Sequence, residues 1–277
     1  MAFRSSAATH VGMVRKVNQD SYAERSDIGV WVVADGMGGH EAGEVASATV
    51  TDHIKSLAQQ AFFAEKVAAV EESIQTANRT LIEQAATYDS QRVPGSTVVV
   101  LIIDGDQGAL VWAGDSRIYR RREENVELVT RDHSHVQDLV EQGVIEEDEA
   151  ESHPMANVIT RAVGISDPLE LETKFIDIRP EDQFLLCSDG LSRLVNEDEI
   201  QSMMSNKDSE EVAQSLLHTA LVRGARDNVT LICVKNCANM DTTSDDHEST
   251  VIHNASPLDE FDFDIDQICL LYTSPSP

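Results

Sequence analysis

Short apolar runs alternate along the chain with longer stretches in which apolar residues recur every three or four positions. The short runs are typical of buried strands and predict strands at residues 30–34, 97–103, 109–113, 117–121, 169–178, 183–187 and 229–234. The longer pattern predicts helices at residues 44–59, 64–88, 135–141, 198–204 and 209–222. Because the strands are grouped in hairpins and the helices form separate groups, this order favours antiparallel sheets with packed helices over a doubly wound parallel sheet.

Composition narrows the class of protein. The 277 residues, 41% hydrophobic and 25% charged, suit a soluble globular protein with one large domain or two small ones. No signal-peptide pattern or bilayer-length apolar run is present, so we expect a cytoplasmic protein without a membrane partner. The net charge of -28 disfavours nucleic acid as a partner and is compatible with cation binding. Four cysteines, Cys187, Cys233, Cys237 and Cys269, lack the spacing of zinc or disulfide motifs and are expected to be reduced thiols.

The end of the chain differs in composition from the rest. From Cys237 onward there are nine acidic residues and no Lys or Arg, and the segment has no sustained periodicity. This predicts a disordered acidic tail over residues 237–277, after a folded domain of residues 1–236. The last letters, CLLYTSPSP, resemble a translated adapter or vector sequence more than a natural terminus.

The segment VWVVADGMGGHEAGE, residues 30–44, ends an apolar run in Asp35 and then brings three glycines within four residues. Glycine lets the backbone turn sharply and approach another group closely. A dinucleotide fingerprint would require glycine where the chain has Glu41, and the Gly-Lys-Ser/Thr ending of a P-loop is absent. By itself, the segment is also compatible with a simple tight turn.

The segment RKVNQDSYAE adds one further predicted strand, directly after Asp20. Five aspartates therefore share a position at a predicted strand end beside turn-forming residues: Asp20, Asp35, Asp115, Asp189 and Asp227. Strand ends of stacked sheets can bring such residues to one edge, where their carboxylates repel each other and require neutralisation. Oxygen ligands without Cys or His partners favour Mg²⁺ or Mn²⁺ over zinc, and a cluster of this size suggests two ions. A binuclear centre can activate water for in-line attack on a phosphate ester, and the nearby Arg15 could bind the phosphate oxygens.

The motifs VRKVNQDS, VADGMGGH, GSTVVV, WAGDSRIYR, VTRDHS, NVITRAVG, CSDGL and RDNVTLICV occur in the order found in metal-dependent serine/threonine protein phosphatases of type 2C. The chain resembles the compact bacterial branch of that family over about residues 3–236. The resemblance implies an α+β fold, a four-layer α-β-β-α sandwich of two antiparallel sheets flanked by helices. It also implies two Mn²⁺ or Mg²⁺ ions in a cleft at one edge.

The resemblance assigns roles to the residues around the first ion. Asp35 would bridge both ions, and the glycines would allow the backbone carbonyl of Gly36 to ligate one of them. Asp189 and Asp227 would complete the protein ligands of the first ion.

Three further assignments follow from the same resemblance. Asp115 matches the position that, together with Asp189, holds a third and weaker metal in bacterial members. Asp20 would support the second ion through water, and Arg15 matches the phosphate-binding arginine.

Two departures from the family pattern concern the same cleft. Many eukaryotic members carry a histidine, thought to protonate the leaving alcohol, where this chain has Met37; His40 is a candidate substitute. Some relatives carry Glu where this chain has Gln19, which removes a charge near the second metal.

Residues 130–164 correspond to the flap beside the site in bacterial relatives.

The leading hypothesis is a monomeric enzyme that removes phosphate from phosphoserine or phosphothreonine in proteins and opposes a bacterial serine/threonine kinase. One alternative is a catalytically silent scaffold of the same fold that binds phosphoproteins, although such a protein would be expected to lose metal-binding aspartates. Another alternative is a metal-dependent phosphatase of the same fold that acts on a small phosphate ester or on a phosphorylated regulator.

Overall fold

The computed structural model describes residues 2–38, 41–87, 93–150, 153–205 and 208–237. Its strands are β1 (Ala2–His10), β2 (Asp20–Arg25), β3 (Val30–Met37), β4 (Gly95–Ser96), β5 (Val98–Asp104), β6 (Gln107–Ala113), β7 (Arg117–Arg122), β8 (Asn125–Leu128), β9 (Glu172–Asp177), β10 (Gln183–Cys187) and β11 (Val229–Cys237). Its helices are α1 (Glu41–Lys55), α2 (Phe63–Thr87), α3 (His135–Glu141), α4 (Glu147–Ala150), α5 (Asp189–Ser192), α6 (Glu197–Met204) and α7 (Ser209–Val222).

The strands form two sheets in which all pairs are antiparallel. One sheet has the order β1-β11-β10-β7-β8, and the other has the order β2-β3-β5-β6-β9 with β4 paired to β3. The apolar runs are nearly continuous because both faces of the central strands are covered: Val30–Ala34 of β3 are all buried.

Three apolar cores define the layers. Trp31 and Trp112 belong to the core between the two sheets. Val50 of α1 and Ile74 of α2 pack on the outer face of one sheet, and Leu216 of α7 packs on the outer face of the other. Burying one large apolar side chain stabilises the fold by about 1.5–3 kcal/mol, so these cores hold the strands in register. The order helix, sheet, sheet, helix confirms the predicted α-β-β-α sandwich.

Most predicted elements are present. β10, α3 and α7 have the predicted bounds, whereas the strand predicted at residues 169–178 is shorter, at Glu172–Asp177. Strands β1, β4 and β8 and helices α4 and α5 were not predicted. The sequence of β1, AFRSSAATH, is rich in small and polar residues, and nine residues of pairing with β11 hold it in extended form. Strand β11 runs one residue past the predicted boundary at residue 236, and residues 238–277 lie outside the described part of the chain.

None of the helices in the described ranges combines the length and the apolar character that crossing a bilayer requires.

Candidate metal centre

Strand register brings three of the five aspartates to the same end of three neighbouring strands, β11, β10 and β7, of the first sheet. Cys187, the last residue of β10, pairs with Arg117 at the start of β7 and with Leu231 near the start of β11. Asp115 lies just before β7, Asp189 just after β10 and Asp227 just before β11. The three residues therefore lie at the same edge although up to 112 positions separate them in sequence.

The other two aspartates come from the second sheet. Asp20 at the start of β2 pairs directly with Asp35 near the end of β3. A hydrogen bond joins the two sheets at this point, because the Ser188 hydroxyl donates to Oδ2 of Asp20 at 2.9 Å. The structure thus brings all five predicted aspartates to one region.

Asp35 is fixed through its backbone. Its N–H donates to Oγ1 of Thr97 at 3.1 Å, and its carbonyl accepts from the Ser96 hydroxyl at 3.0 Å and the Thr97 N–H at 2.9 Å. These contacts leave the carboxyl group to the site. Burial, followed by repulsion from the neighbouring carboxylates, of which Asp20 is the strongest, raises the pKa of Asp35 well above its usual value.

Gly36 occupies a position that no larger residue can take. A Cβ atom there would lie 2.0 Å from the carbonyl oxygen of Gly43 and 2.5 Å from that of Gln19. Both neighbours are backbone atoms, so neither can give way cheaply. Three backbone segments approach each other closely here, so the residue that follows Asp35 must be glycine. This explains why an apolar strand in this sequence ends in Asp-Gly.

Asp20 has one oxygen bound and one unpartnered. Its Oδ2 accepts from Ser188, and a side-chain hydrogen bond with Thr230 further stabilises the carboxylate. Its Oδ1 is buried and has no hydrogen-bond partner within the described ranges. Burial outweighs the two hydroxyl groups and raises the pKa of Asp20 to about 7.

Asp189 and Asp115 lie on either side of one arginine. Nη2 of Arg193 lies 2.7 Å from Oδ2 of Asp189 and 3.4 Å from Oδ2 of Asp115. Burial raises the pKa of Asp189, and that of Asp115 to about 7, while Arg193 opposes both shifts. Oδ1 of Asp189 is buried without a hydrogen-bond partner in the part of the chain that the structure describes.

Asp227 lies opposite Arg15. Nη2 of Arg15 donates to Oδ2 of Asp227 at 2.8 Å, and this bond is the main cause of the raised pKa of Arg15. The Arg15 side chain is 51% exposed, so the guanidinium lies at the rim of the site and not inside it.

The adjacent Asn228 attaches the segment that carries Arg15 to the strand end. Its Nδ2 donates to the carbonyls of Val11 at 2.9 Å and Val17 at 3.0 Å, and its Oδ1 accepts from the Gln19 N–H at 2.8 Å. The backbone around Arg15 is thereby held at both ends.

The donor set fits hard divalent cations. Carboxylate oxygens dominate it, two of them are buried and unpartnered, and the mutual repulsion of the carboxylates is what a bound cation would relieve. Within the described ranges, no three Asp, Glu, His or Cys side chains are close enough to hold one ion by themselves. Ions here would therefore take their other ligands from backbone oxygen, water or substrate.

Two histidines bear on the site, His40 and His133. His40, the candidate proton donor, lies outside the described residues. His133 is buried, stacks on Trp112, accepts from the Gly114 N–H at 3.2 Å through Nδ1 and contacts Glu172 at 3.0 Å through Nε2. Through its bond to Gly114, His133 supports the turn before Asp115, which is a structural role.

The flap borders the site across a cavity. A cavity of about 210 Å³ lies between Asp115 and Asp189 on one side and Ser134, Gln137 and Asn157 of the flap on the other. The flap is attached at its base, where the Thr160 N–H donates to the carbonyl of His133 at 2.8 Å.

Comparison with known proteins identifies the family. The sequence model of protein phosphatase 2C matches residues 13–229. The chain is 31% identical over 235 residues to the serine/threonine phosphatase stp of Listeria welshimeri, which covers 82% of this chain and 93% of that protein.

Two solved structures are similar over most of their length. PppA, described as a key regulatory component of T6SS in Pseudomonas aeruginosa, has a TM-score of 0.79 at 40% identity, covering 84% of this chain and 97% of that one. The catalytic domain of the serine/threonine phosphatase PstP, solved in complex with two manganese ions, has a TM-score of 0.72 at 31% identity, covering 85% of this chain and 99% of that one. Fold and motif order are therefore those of a phosphatase. The chain belongs to the protein phosphatase 2C family.

Sequence reasoning missed the residues that hold the aspartates. Ser188 and Thr230 bond Asp20 across the two sheets, and no local pattern indicates this contact. Two others had a detectable signal. Asn228 directly follows Asp227, and Arg193 stands four residues after Asp189, the spacing that brings two side chains together on one helical turn.

Proposed function

We propose that this protein hydrolyses phosphoserine and phosphothreonine in proteins with two Mn²⁺ or Mg²⁺ ions. The observation that carries the proposal is the convergence of five aspartates at one edge of the two sheets. The pKa is raised in four of them, Asp20, Asp35, Asp115 and Asp189, and two of these, Asp20 and Asp189, have a buried oxygen without a partner in the described ranges. The bacterial phosphatases among its relatives support the same reaction class.

The proposed ligands of the ions are the carboxylates of Asp35, Asp189 and Asp227 and the backbone carbonyl of Gly36, with Asp20 acting through water. Two ions held there would supply activation of water near neutral pH and neutralisation of the phosphate oxygens. Asp35 would be a well-fixed ligand, because Ser96 and Thr97 hold its backbone.

Arg15 is the proposed phosphate-binding residue. Its contact with Asp227 is a partly exposed ion pair, and such pairs contribute only about 0–1 kcal/mol, so the guanidinium can exchange this partner for a phosphate at little cost. A planar guanidinium can donate two parallel hydrogen bonds to phosphate oxygens. The anchoring by Asn228 keeps Arg15 beside the site during this exchange.

A protein substrate fits the surface around Arg15. Met13, Val14 and Val17 are exposed on the same segment, and they offer apolar contacts to a polypeptide that a small phosphate ester would not use. The physiological substrates we propose are the targets of a bacterial serine/threonine kinase, because the relatives that match over their full domain are bacterial serine/threonine phosphatases.

Proton transfer to the leaving alcohol is assigned to His40. Met37 follows the Asp-Gly pair and has no titratable group, whereas an imidazole three residues later has a suitable ordinary pKa. His40→Gln is expected to lower kcat and to remove the corresponding limb of the pH profile, with little effect on Mn²⁺ binding.

The test measures phosphate release from a phosphothreonine peptide with Mn²⁺, with EDTA and with Asp189→Asn protein. We expect activity that requires the metal and is lost in the variant. Asp208→Asn is the matched control, because Asp208 caps α7 and asparagine caps a helix equally well. Faster hydrolysis of a small ester than of the peptide would reject the protein substrate, and a folded, Mn²⁺-loaded protein without any activity would favour a phosphoprotein-binding scaffold.

A further inference from the structure

The short helix α5 is followed by a positive side chain that lies beside two carboxylates of the site. The backbone N–H of Arg193 donates to the carbonyl of Asp189 at 3.0 Å, which fixes the start of the side chain. Nη2 of Arg193 then lies 2.7 Å from Asp189 and 3.4 Å from Asp115. One nitrogen therefore contacts both of the carboxylates that, by resemblance, would hold a third ion.

The burial of its partners distinguishes this contact from an ordinary surface ion pair. The side chains of Asp115 and Asp189 are only 11% and 14% exposed, whereas that of Arg193 is 43% exposed. The carboxylates are therefore poorly solvated, and a positive charge beside them is screened less than it would be between two exposed groups. Arg193 also lines the cavity between the site and the flap.

The other charges near Asp115 do not replace Arg193. Asp132 adds a negative charge that acts on Asp115, but Asp132 is already paired with Arg117, whose Nε and Nη2 donate to it at 3.0 and 2.9 Å. Within the described part of the chain, Arg193 is the cation within contact distance of Asp115. Without Arg193, two buried carboxylates would face each other with no cation between them.

We propose that Arg193 takes the place of the third ion, so that the centre of this protein contains two divalent ions and one fixed guanidinium. The inference rests on the proposed two-ion centre. It replaces the expectation that Asp115 and Asp189 hold a third metal: a fixed positive charge in contact with both carboxylates repels a further divalent cation and uses the oxygen atoms that it would need. Arg193 is a positioning residue, since it holds Asp115 and Asp189 in place.

The experiment counts Mn²⁺ ions bound per chain by equilibrium dialysis at millimolar free Mn²⁺, followed by elemental analysis. The full-length protein is compared with Asp115→Asn, Arg193→Gln and the double variant. We expect Asp115→Asn to leave the count unchanged when Arg193 is present and to remove one ion in the Arg193→Gln background. Affinity for that additional ion should rise at least about tenfold when the guanidinium is removed. Because the comparison uses differences, Mn²⁺ bound elsewhere on an acidic chain cancels.

Two further variants serve as controls. Arg193→Lys keeps a positive charge four residues after Asp189 and should bind the same number of ions as the unmodified protein. Arg79→Gln removes an exposed arginine that pairs with Glu72 on the same helix, α2, and it should also leave the number unchanged. Thermal unfolding without metal establishes that each variant is folded.

The outcomes separate this inference from the proposed function. Loss of one ion on Asp115→Asn substitution with Arg193 present would overturn the inference, as would an unchanged count in both backgrounds. Failure of Asp189→Asn to reduce Mn²⁺ binding at all would instead overturn the two-ion centre itself. The comparison of Asp115→Asn with unmodified protein needs no Arg193 variant, so the inference can be refuted even if Arg193→Gln does not fold.

Discussion

Replacing Asn228 with alanine should test how the site is attached to the fold. The side chain is buried and makes three hydrogen bonds to the backbone of residues 11–19, at 2.8 to 3.0 Å. That segment carries Arg15, and a further bond from the Met13 N–H to the carbonyl of Ala225 at 2.7 Å holds it at the same place. Asn228→Ala removes the three side-chain bonds without inserting any group that could clash.

The magnitude follows from the number of bonds. A hydrogen bond contributes about 1 kcal/mol net, so the loss of three should reduce the free energy of unfolding by about 3 kcal/mol. The loss would be somewhat smaller where water can reach the two carbonyls and the N–H left without partners. Because the freed segment carries Arg15, kcat/KM for a phosphopeptide should fall by about tenfold or more.

The assay combines urea unfolding in EDTA with steady-state phosphate release in Mn²⁺. Asn196→Ala is the control, because it makes the same substitution at an exposed asparagine that caps α6. It should cost about 1 kcal/mol and leave kcat/KM unchanged. Equal stability losses in the two variants, together with unchanged turnover in Asn228→Ala, would refute the argument that these bonds position Arg15.

Three further predictions concern parts of the molecule outside the metal centre. Burial lowers the pKa of His133 from 6.5, so the contribution of its neutral form to stability is present above that pH and is lost as the pH falls. The urea midpoint of unfolding in EDTA should therefore drop less on acidification for His133→Gln than for the unmodified protein. Burial raises the pKa values of Cys187, to about 12, and of Cys233, so both should react with a thiol reagent only in urea, and rapid labelling of the native protein would contradict this. A chain ending at Cys237 should retain its phosphate-release rate; a large loss would show that the remaining residues belong to the catalytic unit.

The sequence was most informative where one strand carries a complete local signal. The run Val30–Ala34 is apolar at every position because two cores cover it, and Gly36 follows because three backbone segments meet there. Strand β1 had no such signal, since its extended form depends on a partner more than 200 residues away in sequence. Helix α5 is only four residues long, too short for any periodicity to be detected.

The aspartates of the site could be predicted from the sequence, but the hydrogen bonds and ion pairs that hold them could not. The five aspartates could be found because each follows or precedes a strand, and the shared edge was then a consequence of sheet geometry. The hydroxyl of Ser188 that bonds Asp20 comes from the opposite sheet, so only the relative placement of the two sheets determines it. The same holds for Arg193: its spacing from Asp189 was visible, but its contact with Asp115 depends on β7 and β10 being neighbours.

The gathered carboxylates would link the proposed metal binding to folding. Burial raises the pKa of Asp20 from 3.8 to about 7, so in the metal-free protein this group favours folding most at low pH, and that contribution is lost as the pH rises through this range. The cost is several kcal/mol for a shift of this size, and the three apolar cores must outweigh it when no ion is bound. A divalent cation held by these aspartates, as proposed, would bind only the folded arrangement, because the aspartates are far apart in the unfolded chain, and it would therefore stabilise the fold by mass action. Arg193 offsets part of the same repulsion without any ion, because it belongs to the chain and is present as soon as α5 and β7 come together.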